Sequence, residues 1–234
     1  MPATPFVVVF SRQRSASTEL ASAISQRLPC AANVDEVFWN PAQLDSQAPV
    51  NRLLRSRHCH ASEASVMRSR AQRLQQPLVF LQVVRNVSCR VLSSAASGKG
   101  CEQCTLVAKL FDAHNVWHLG SLLSSGVVCP IVLERSAAEE ECSKVWADRT
   151  HDFSQHLATH LERNESASAA FAQHRASCNT AASPSFKREH DAWFAKVRGK
   201  LREANLSAVD VMFEEVTRNV ERVLDRVGRL CGVF

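Results

Sequence analysis

The segment from Phe6 to Leu20 constrains the fold of this chain more than any other. Phe6–Phe10 is a run of apolar and β-branched residues, which predicts a buried parallel strand. Ser11–Thr18 is polar, basic and rich in small hydroxyl residues, and a helical apolar pattern then follows. A strand, a tight loop and a helix N-terminus together bind phosphate, because free backbone N–H groups converge there and the helix dipole favours an anion. Arg12 and Arg14 add charged donors.

The rest of the chain continues this alternation of strands and helices. Further strands are predicted at Leu78–Val84, Leu106–Phe111, Val127–Leu133 and around Ser207–Phe213. Helical patterns are predicted at His114–Ser124, Ala137–Trp146, Phe153–Arg163, Phe186–Ala204 and Val216–Cys231. This order predicts an α/β fold, a three-layer sandwich with a central parallel sheet and helices on both faces. Ligands of such sheets bind at the carboxyl ends of the strands, where the Arg14 loop is expected.

The length of the chain favours one domain that spans residues 1–234. Within it, residues from about 45 to 76 form an Arg-rich insert in which short helices are predicted. This composition is typical of a solvated helical face. The second interpretation is a basic rim for an acidic acceptor or for a nucleotide.

Charge and targeting patterns limit the partners and the compartment. Lys and Arg number 28 against 23 Asp and Glu, which suits an anionic nucleotide but is too weak a bias to predict nucleic-acid binding. The sequence has no 18-residue apolar run and no cleavable signal pattern, which predicts no transmembrane segment and a cytoplasmic location. The Golgi lumen is the alternative, if a targeting segment is missing from this chain. Asn-x-Ser sequons matter only in a secretory lumen, and they stand at Asn86, Asn164 and Asn205.

The nine cysteines are odd in number and scattered, which argues against a compact disulfide framework. Cys101 and Cys104 form a C-x-x-C motif, for which three interpretations exist. A zinc site would need His114 and His118 as the second ligand pair, and a thioredoxin-like site would need a helix start after a strand. A pair of incidental loop thiols is the interpretation that we favour.

The loop after the first strand lacks the glycines of the P-loop ATPase pattern. The sequence Arg14-Ser15-Ala16-Ser17-Thr18 instead resembles the 5′-phosphosulfate loop of sulfotransferases that use 3′-phosphoadenosine 5′-phosphosulfate (PAPS). Ala16 stands where that family usually has glycine, and Glu19 stands where an apolar or aromatic residue is common. The alternative is a turn that uses Ser15 or Ser17 only as an N-cap.

A second match to this family is a predicted strand that ends in a basic residue and is followed by a serine. Arg135 ends the strand and Ser143 lies eight residues further on, as do the Arg and Ser that bind the nucleotide's 3′-phosphate in this family. Arg85 and Ser93 have the same spacing and form a rival motif. We favour Arg135 and Ser143, because a segment resembling the family's Gly-x-Lys strand, with Lys109, precedes them.

The resemblance also implies a general base for the acceptor hydroxyl. Cytosolic-type members carry a His two residues after the strand lysine, but this chain has Phe111 there. Val34-Asp35-Glu36-Val37-Phe38 resembles the Pro-x-Glu-x-Phe segment of bacterial and carbohydrate-type members, in which the Glu serves as base. The alternatives are a surface Asp–Glu pair at this position and His114 as the base.

Taken together, the motifs resemble a PAPS-dependent sulfotransferase of the bacterial or carbohydrate type, with a P-loop-like fold. The resemblance implies Glu36 as base and Arg14 as a catalytic cation, with no metal. PAPS, and its product 3′-phosphoadenosine 5′-phosphate (PAP), would be bound by Arg12, Arg14, Ser15, Ala16, Ser17, Thr18, Arg135 and Ser143. The acceptor would be a glycan, a glycolipid or a small molecule, and a homodimer is compatible with the family. The alternatives are a phosphotransferase, for which the P-loop lysine is missing, and a non-catalytic module that binds a nucleotide or another anion.

Overall fold

The centre of the protein is a five-stranded sheet in which every pairing is parallel. The computed structural model describes residues 6–12, 16–28, 30–38, 48–95, 101, 104–111, 119–150, 173–174, 176–178 and 181–232. The sheet has the order β2-β3-β1-β4-β5. Its strands are β1 (Phe6–Ser11), β2 (Ala31–Asp35), β3 (Thr105–Phe111), β4 (Val128–Glu134) and β5 (Val209–Met212).

Helices follow each strand of the sheet in the chain. They are α1 (Ser17–Arg27), α2 (Pro49–Arg55), α3 (Ala61–Arg68), α4 (Arg70–Gln75), α5 (Pro77–Ala95), α6 (Leu119–Ser124), α7 (Ala137–Thr150), α8 (Pro184–Glu203) and α9 (Phe213–Cys231). The backbone of α9 leaves helical geometry at Asn219. Within the described parts of the chain, each helix is too short or too polar to cross a lipid bilayer.

Two apolar clusters lie on opposite faces of the sheet. Side chains alternate along β1, so that Val7 and Val9 pack on one face while Phe6, Val8 and Phe10 pack on the other. The first face is covered by α1 and α9, and the second by α5, α6 and α8 together with the short helices α2 and α3. The predicted α/β three-layer sandwich, with a parallel sheet and helices on both faces, is therefore confirmed.

The predicted strand at Leu78–Val84 is wrong, because these residues lie in α5. A short apolar run fits a buried strand or one side of a buried helix equally well. Here Phe80, Leu81, Val84 and Val87 recur at helical spacing and are fully buried. Arg85 consequently lies inside a helix, where its Nε donates to the carbonyl oxygen of Cys104 at 2.7 Å. The strand-end context of the rival Arg85–Ser93 motif is therefore absent.

Residues 48–76 of the Arg-rich segment contain the three short helices α2, α3 and α4, which pack against α5. Arg73 is buried rather than solvated, and its Nη1 donates to the carbonyl oxygens of Met67 and Arg68, each at 3.2 Å. The Glu63 carboxylate accepts a hydrogen bond from Arg90 of α5. Part of this segment therefore has a structural role in the helical layer.

Four disulfides contradict the prediction that the cysteines form no disulfide framework. They are Cys30–Cys101, Cys89–Cys104, Cys129–Cys231 and Cys142–Cys178. The two cysteines of the C-x-x-C motif take part in different bridges, so the interpretation as incidental thiols is wrong, and neither a thioredoxin-like pair nor a zinc pair is formed. The sequence spacing failed to reveal this because three of the four bridges join cysteines more than 30 residues apart.

Candidate functional site

The candidate site lies at the carboxyl ends of the three central strands. In the register of the sheet, Ser11 at the end of β1 lies between Phe111 of β3 and Leu133 of β4. The chain leaves β1 for α1 on one face of the sheet, whereas the connection from β3 leads to α6 on the other face. Ligands of parallel sheets bind at the strand ends where the connections diverge in this way. Residues that end or follow β1, β2 and β4 are brought together at this edge with the last residues of β3.

Lys109 is the central cation of the first side-chain cluster. It lies in β3 with its side chain fully buried, and its ammonium group donates to Thr18 Oγ1 at 2.6 Å. The same nitrogen forms an ion pair with Asp35 and lies 3.6 Å from Glu36 Oε1. A buried ammonium group requires such partners, because desolvation without compensating charge or hydrogen bonds is costly. Lys109 therefore links the start of α1 to the end of β2 through its contacts with Thr18 and Asp35.

The end of β2 is shaped so that two acidic residues face this lysine. Asp35 has a left-handed backbone conformation, with φ of 51°, and its N–H donates to Asn33 Oδ1 at 3.0 Å. The register with β3 shifts between Asn33 and Asp35. The side chain of Glu36 is only 13 % exposed. Asp35 and Glu36 are therefore both partly buried, and both contact Lys109.

The loop between β1 and α1 contains a second left-handed residue. Ala16 has φ of 58° and ψ of 25° and precedes the first residue of α1. Its carbonyl oxygen accepts from the N–H of Leu20 at 3.1 Å, and Ser17 is already helical, so Ser17 is not an N-cap. A non-glycine residue in this conformation costs roughly 1–2 kcal/mol. Arg14 and Ser15 lie outside the described residues.

A second cluster joins the end of β1 to α7 and α8. Arg12, the first residue after β1, is buried, and its Nε donates to Glu140 Oε1 at 2.7 Å. Its guanidinium carbon lies 5.1 Å from the centre of the Phe186 ring. The Nε2 atom of His190 lies 2.9 Å from the carbonyl oxygen of Arg135 and 3.9 Å from Glu140 Oε2. The backbone of Arg135 is thereby held by α8.

Arg135 and Ser143 lie at the strand end and in the next helix, respectively. Arg135 directly follows β4 and is buried, with its guanidinium 4.1 Å above the centre of the Phe213 ring and its Nε 3.6 Å from Glu139 Oε2. Ser143 is buried in α7. It shares a helix face with Glu140, since residues three apart lie on the same side. This face is directed toward the end of β1, because Glu140 contacts Arg12.

The described charges of the two clusters nearly balance. Three buried cations stand among four carboxylates: Arg12, Lys109 and Arg135 with Asp35, Glu36, Glu139 and Glu140. Each cation has a carboxylate oxygen within 4 Å, so the cations are held in defined positions. Chemically, the edge offers fixed cations for an anion, a buried hydroxyl at Ser143, and a carboxylate at Glu36 that can accept a proton.

Sequence reasoning missed several residues of this site. Asp35 was recognised only as a neighbour of Glu36, and His190 and Phe186 had no distinguishing pattern in the long α8 sequence. Glu140 did carry a signal, because acidic side chains in the first turn of a helix complement its dipole. That signal does not reveal a contact with Arg12, which lies 128 residues away in the chain.

The fold and the site together define an α/β protein with a buried lysine–carboxylate centre at the carboxyl edge of its sheet. No model of a known protein family matches the sequence, and no significant match is found among curated proteins.

Proposed function

We propose that this protein is a sulfotransferase that moves the sulfuryl group of PAPS to a hydroxyl group of a glycan, a glycolipid or a small-molecule acceptor. The observation that carries the proposal is the contact of Lys109 with Thr18 and Glu36. Three segments that separately resemble this family, the loop, the strand lysine and the acidic segment after β2, converge on one buried ammonium group. Adjacent parallel strands bring their carboxyl ends together in any such sheet, so the support comes from the residue types that meet there, a hydroxyl, an ammonium and a carboxylate.

The proposed reaction places the acceptor hydroxyl beside Glu36. The acceptor oxygen forms a bond to sulfur while the bond from sulfur to the 5′-phosphate oxygen breaks, and PAP leaves with the electron pair of that bond. Glu36 takes the hydroxyl proton, as a general base must lie within reach of the proton that it removes. Arg14 and the amides of Ser15 to Thr18 stabilise the charge that develops on the leaving phosphate, and such electrostatic stabilisation supplies much of the rate enhancement of many enzymes. Lys109 fixes the position of Glu36 relative to Thr18.

Arg135 and Ser143 are proposed to bind the 3′-phosphate. A guanidinium group is suited to this role, because its fork of N–H donors matches two phosphate oxygens. The guanidinium of Arg135 packs on the Phe213 ring. The backbone carbonyl oxygen of Arg135 is hydrogen-bonded to His190 Nε2, which restrains the main chain at this position. Such restraint lowers the entropy that a binding side chain loses on contact with its ligand.

Thermal unfolding with PAP, ATP and AMP tests the nucleotide assignment. PAP at 100 times its dissociation constant should raise the free energy of unfolding by about 2.7 kcal/mol. At the same concentration AMP, which lacks the 3′-phosphate, should raise it far less. Equal shifts in melting temperature with the three nucleotides would refute a dedicated 3′-phosphate site.

The second candidate function is a binding module that keeps the fold without turnover. The presence of alanine in a left-handed conformation at position 16 favours it, since the loop then carries strain that glycine avoids. PAP binding without formation of PAP from PAPS, in the presence of mixed glycans or phenols, would select this alternative.

A further inference from the structure

The disulfides connect every layer of the fold. Cys30–Cys101 links the residue before β2 to the segment that leads into β3. Cys89–Cys104 links α5 to the residue before β3. Cys129–Cys231 joins the sheet to the end of α9, and Cys142 of α7 is bonded to Cys178. Among the described cysteines only Cys59 is outside a bridge. Frameworks of this density persist in oxidising compartments and are rare in a reducing cytosol.

One glycosylation sequon lies on an exposed turn of this framework. Asn205 and Ser207 are both exposed, in the connection from α8 to β5. The backbone there is a Schellman motif, in which the N–H of Leu206 donates to the carbonyl oxygen of Leu201 and the N–H of Asn205 to that of Arg202, both at 3.0 Å. Asn205 takes the left-handed position, with φ of 52°, which asparagine tolerates better than most residues. The turn therefore presents its amide side chain to solvent on a fixed backbone.

This turn lies at the opposite edge of the sheet from the candidate site. Asn205 precedes β5, so it is at the amino edge of the parallel sheet, whereas Arg12 and Arg135 follow the carboxyl ends of their strands. A large hydrophilic group on Asn205 consequently lies away from the carboxyl edge that holds the candidate site.

The two other sequons differ in their surroundings. Asn86 lies in the interior of α5, and the hydroxyl-bearing Ser88 of its sequon is buried against the core. Asn164 lies outside the described residues. Of the two sequons in the described part of the chain, the one at Asn205 therefore has both its asparagine and its serine exposed to solvent.

We propose that the chain folds in an oxidising secretory lumen and carries an N-linked glycan on Asn205. In the modification, Asn205 Nδ2 bonds to the anomeric carbon of an oligosaccharide that a lipid diphosphate carries. The bond from that carbon to the diphosphate breaks, the lipid diphosphate leaves with the electron pair, and one amide proton passes to the base of the transferring enzyme. Each disulfide forms as two thiols give two electrons and two protons to the oxidised dithiol proteins of the lumen. The inference is independent of the sulfotransferase proposal.

The test directs the chain of residues 1–234 into the secretory lumen of a eukaryotic cell by means of an added cleavable signal sequence. Enzymatic release of N-glycans converts a modified asparagine to aspartate, and peptide mass spectrometry locates that change. We expect Asn205 to be converted to aspartate in the secreted chain. The eight cysteines of the four disulfides should not react with an alkylating reagent in that chain. The variant Ser207→Ala should abolish the conversion at Asn205, because it removes the sequon hydroxyl but keeps asparagine at the left-handed position. In the control variant Asn86→Gln, Asn205 should still be converted.

Two results would overturn the proposal. One is a secreted, correctly bridged chain in which Asn205 remains unmodified. The other is a folded chain purified from a reducing cytosol whose cysteines all react with an alkylating reagent and whose melting temperature equals that of the oxidised chain. Asn205→Gln is a less suitable variant than Ser207→Ala, because glutamine fits the left-handed position less well than asparagine.

Discussion

Single residues at the carboxyl edge have separable functions in the proposed reaction. Arg135 contacts an aromatic ring and the start of α7, Glu36 lies 3.6 Å from the buried lysine, and Arg12 is bonded to Glu140. Substitution of one of these residues should therefore change one property, either recognition of the nucleotide or transfer of the sulfuryl group. Two predictions at the residue scale use this separation.

The first prediction concerns recognition of the 3′-phosphate by Arg135. Arg135→Ala should weaken binding of PAP far more than binding of adenosine 5′-phosphosulfate, which lacks that phosphate. A lost hydrogen bond to a charged group is worth roughly 1.5–3 kcal/mol, or about one to two decades in affinity. Isothermal titration with both nucleotides measures the difference.

Arg85→Ala is the matched control, because Arg85 lies inside α5 and donates to a backbone carbonyl oxygen. It should leave the ratio of the two affinities unchanged. An equal loss for both nucleotides in Arg135→Ala would exclude Arg135 from the 3′-phosphate site, and a selective loss in Arg85→Ala would restore the rival motif.

The second prediction separates the base from the anion-binding loop. Glu36→Gln keeps the shape of the side chain but removes its basicity, so PAP affinity should persist while turnover falls about 10²–10⁴-fold. Arg14→Ala should instead impair donor binding. Formation of PAP from PAPS with an active acceptor measures turnover. If Glu36→Gln turns over at the rate of the unchanged protein, Glu36 is not the base, and His114 is the next candidate.

At the scale of elements, α3 of the Arg-rich segment is joined to α5 by an ion pair between Glu63 and Arg90. The N–H of His60 donates to Glu63 Oε2 at 3.0 Å at the start of α3, and Arg90 of α5 donates to the same carboxylate. The Nη2 atom of Arg90 also donates to the carbonyl oxygen of His58 at 2.9 Å. Loss of this carboxylate charge should therefore loosen the contact between α3 and α5.

The third prediction follows from the pKa of Glu63. The hydrogen bond from Arg90 lowers the pKa of this carboxyl group below its ordinary value, although partial burial opposes the effect. The resulting stabilisation is complete above the pKa of the unfolded carboxyl group, about 4.3, and is lost as the pH falls through the lower pKa of the folded state. The free energy of unfolding in urea, measured from pH 6 downward to about pH 3, should decrease less steeply in Glu63→Gln than in the unchanged protein.

Glu203→Gln is the control for this measurement, because Glu203 is an exposed carboxylate paired with Lys200 at the end of α8. An exposed ion pair contributes little to stability, so this variant removes a carboxylate without removing a partly buried contact. Identical acid profiles for all three proteins would show that the Glu63–Arg90 contact contributes nothing to stability.

At the scale of the whole molecule, the disulfides restrict the unfolded chain more than any local contact. The fourth prediction is that Cys89→Ser with Cys104→Ser lowers the free energy of unfolding by about 3 kcal/mol, the value expected for a loop of 15 residues. Urea unfolding under oxidising conditions measures the change. The effect should disappear when both proteins are compared in strong reductant.

Cys59→Ser is the matched control for the loss of a cysteine. Burial raises the pKa of the Cys59 thiol, and the charge of Glu63 adds to the effect. A thiol with a raised pKa forms little thiolate and exchanges slowly with disulfides. Its removal should change stability far less than loss of the bridge. Equal losses in the two variants would mean that packing, rather than the crosslink, stabilises this region.

The fold class was predictable from sequence because β1, β3 and β4 are long apolar runs next to helical patterns. Helix α5 was misassigned because Leu78–Val84 contains a single polar residue, Gln82, and so short an apolar run does not distinguish a helix from a buried strand. The position of Arg135 after a strand followed from the same patterns, whereas the contact of Lys109 with Asp35 depends on a left-handed turn and a register shift. Such contacts, like the disulfides, arise from tertiary packing that a linear pattern does not encode. The predicted helix at Phe153–Arg163 lies outside the described residues.

The strand order also has a consequence for how the chain acquires its structure. Phe6 at the start of β1 pairs with Leu106 on one side and with Val128 on the other. The central strand is thus synthesised before both of its neighbours, and it has no partner until β3 has left the ribosome. Pairings at such sequence separation are slow to form, because the entropy of closing a long loop is lost before the contacts are gained. During that interval the apolar residues of β1 are exposed to other chains, so folding of this protein should depend on protection of its own first strand.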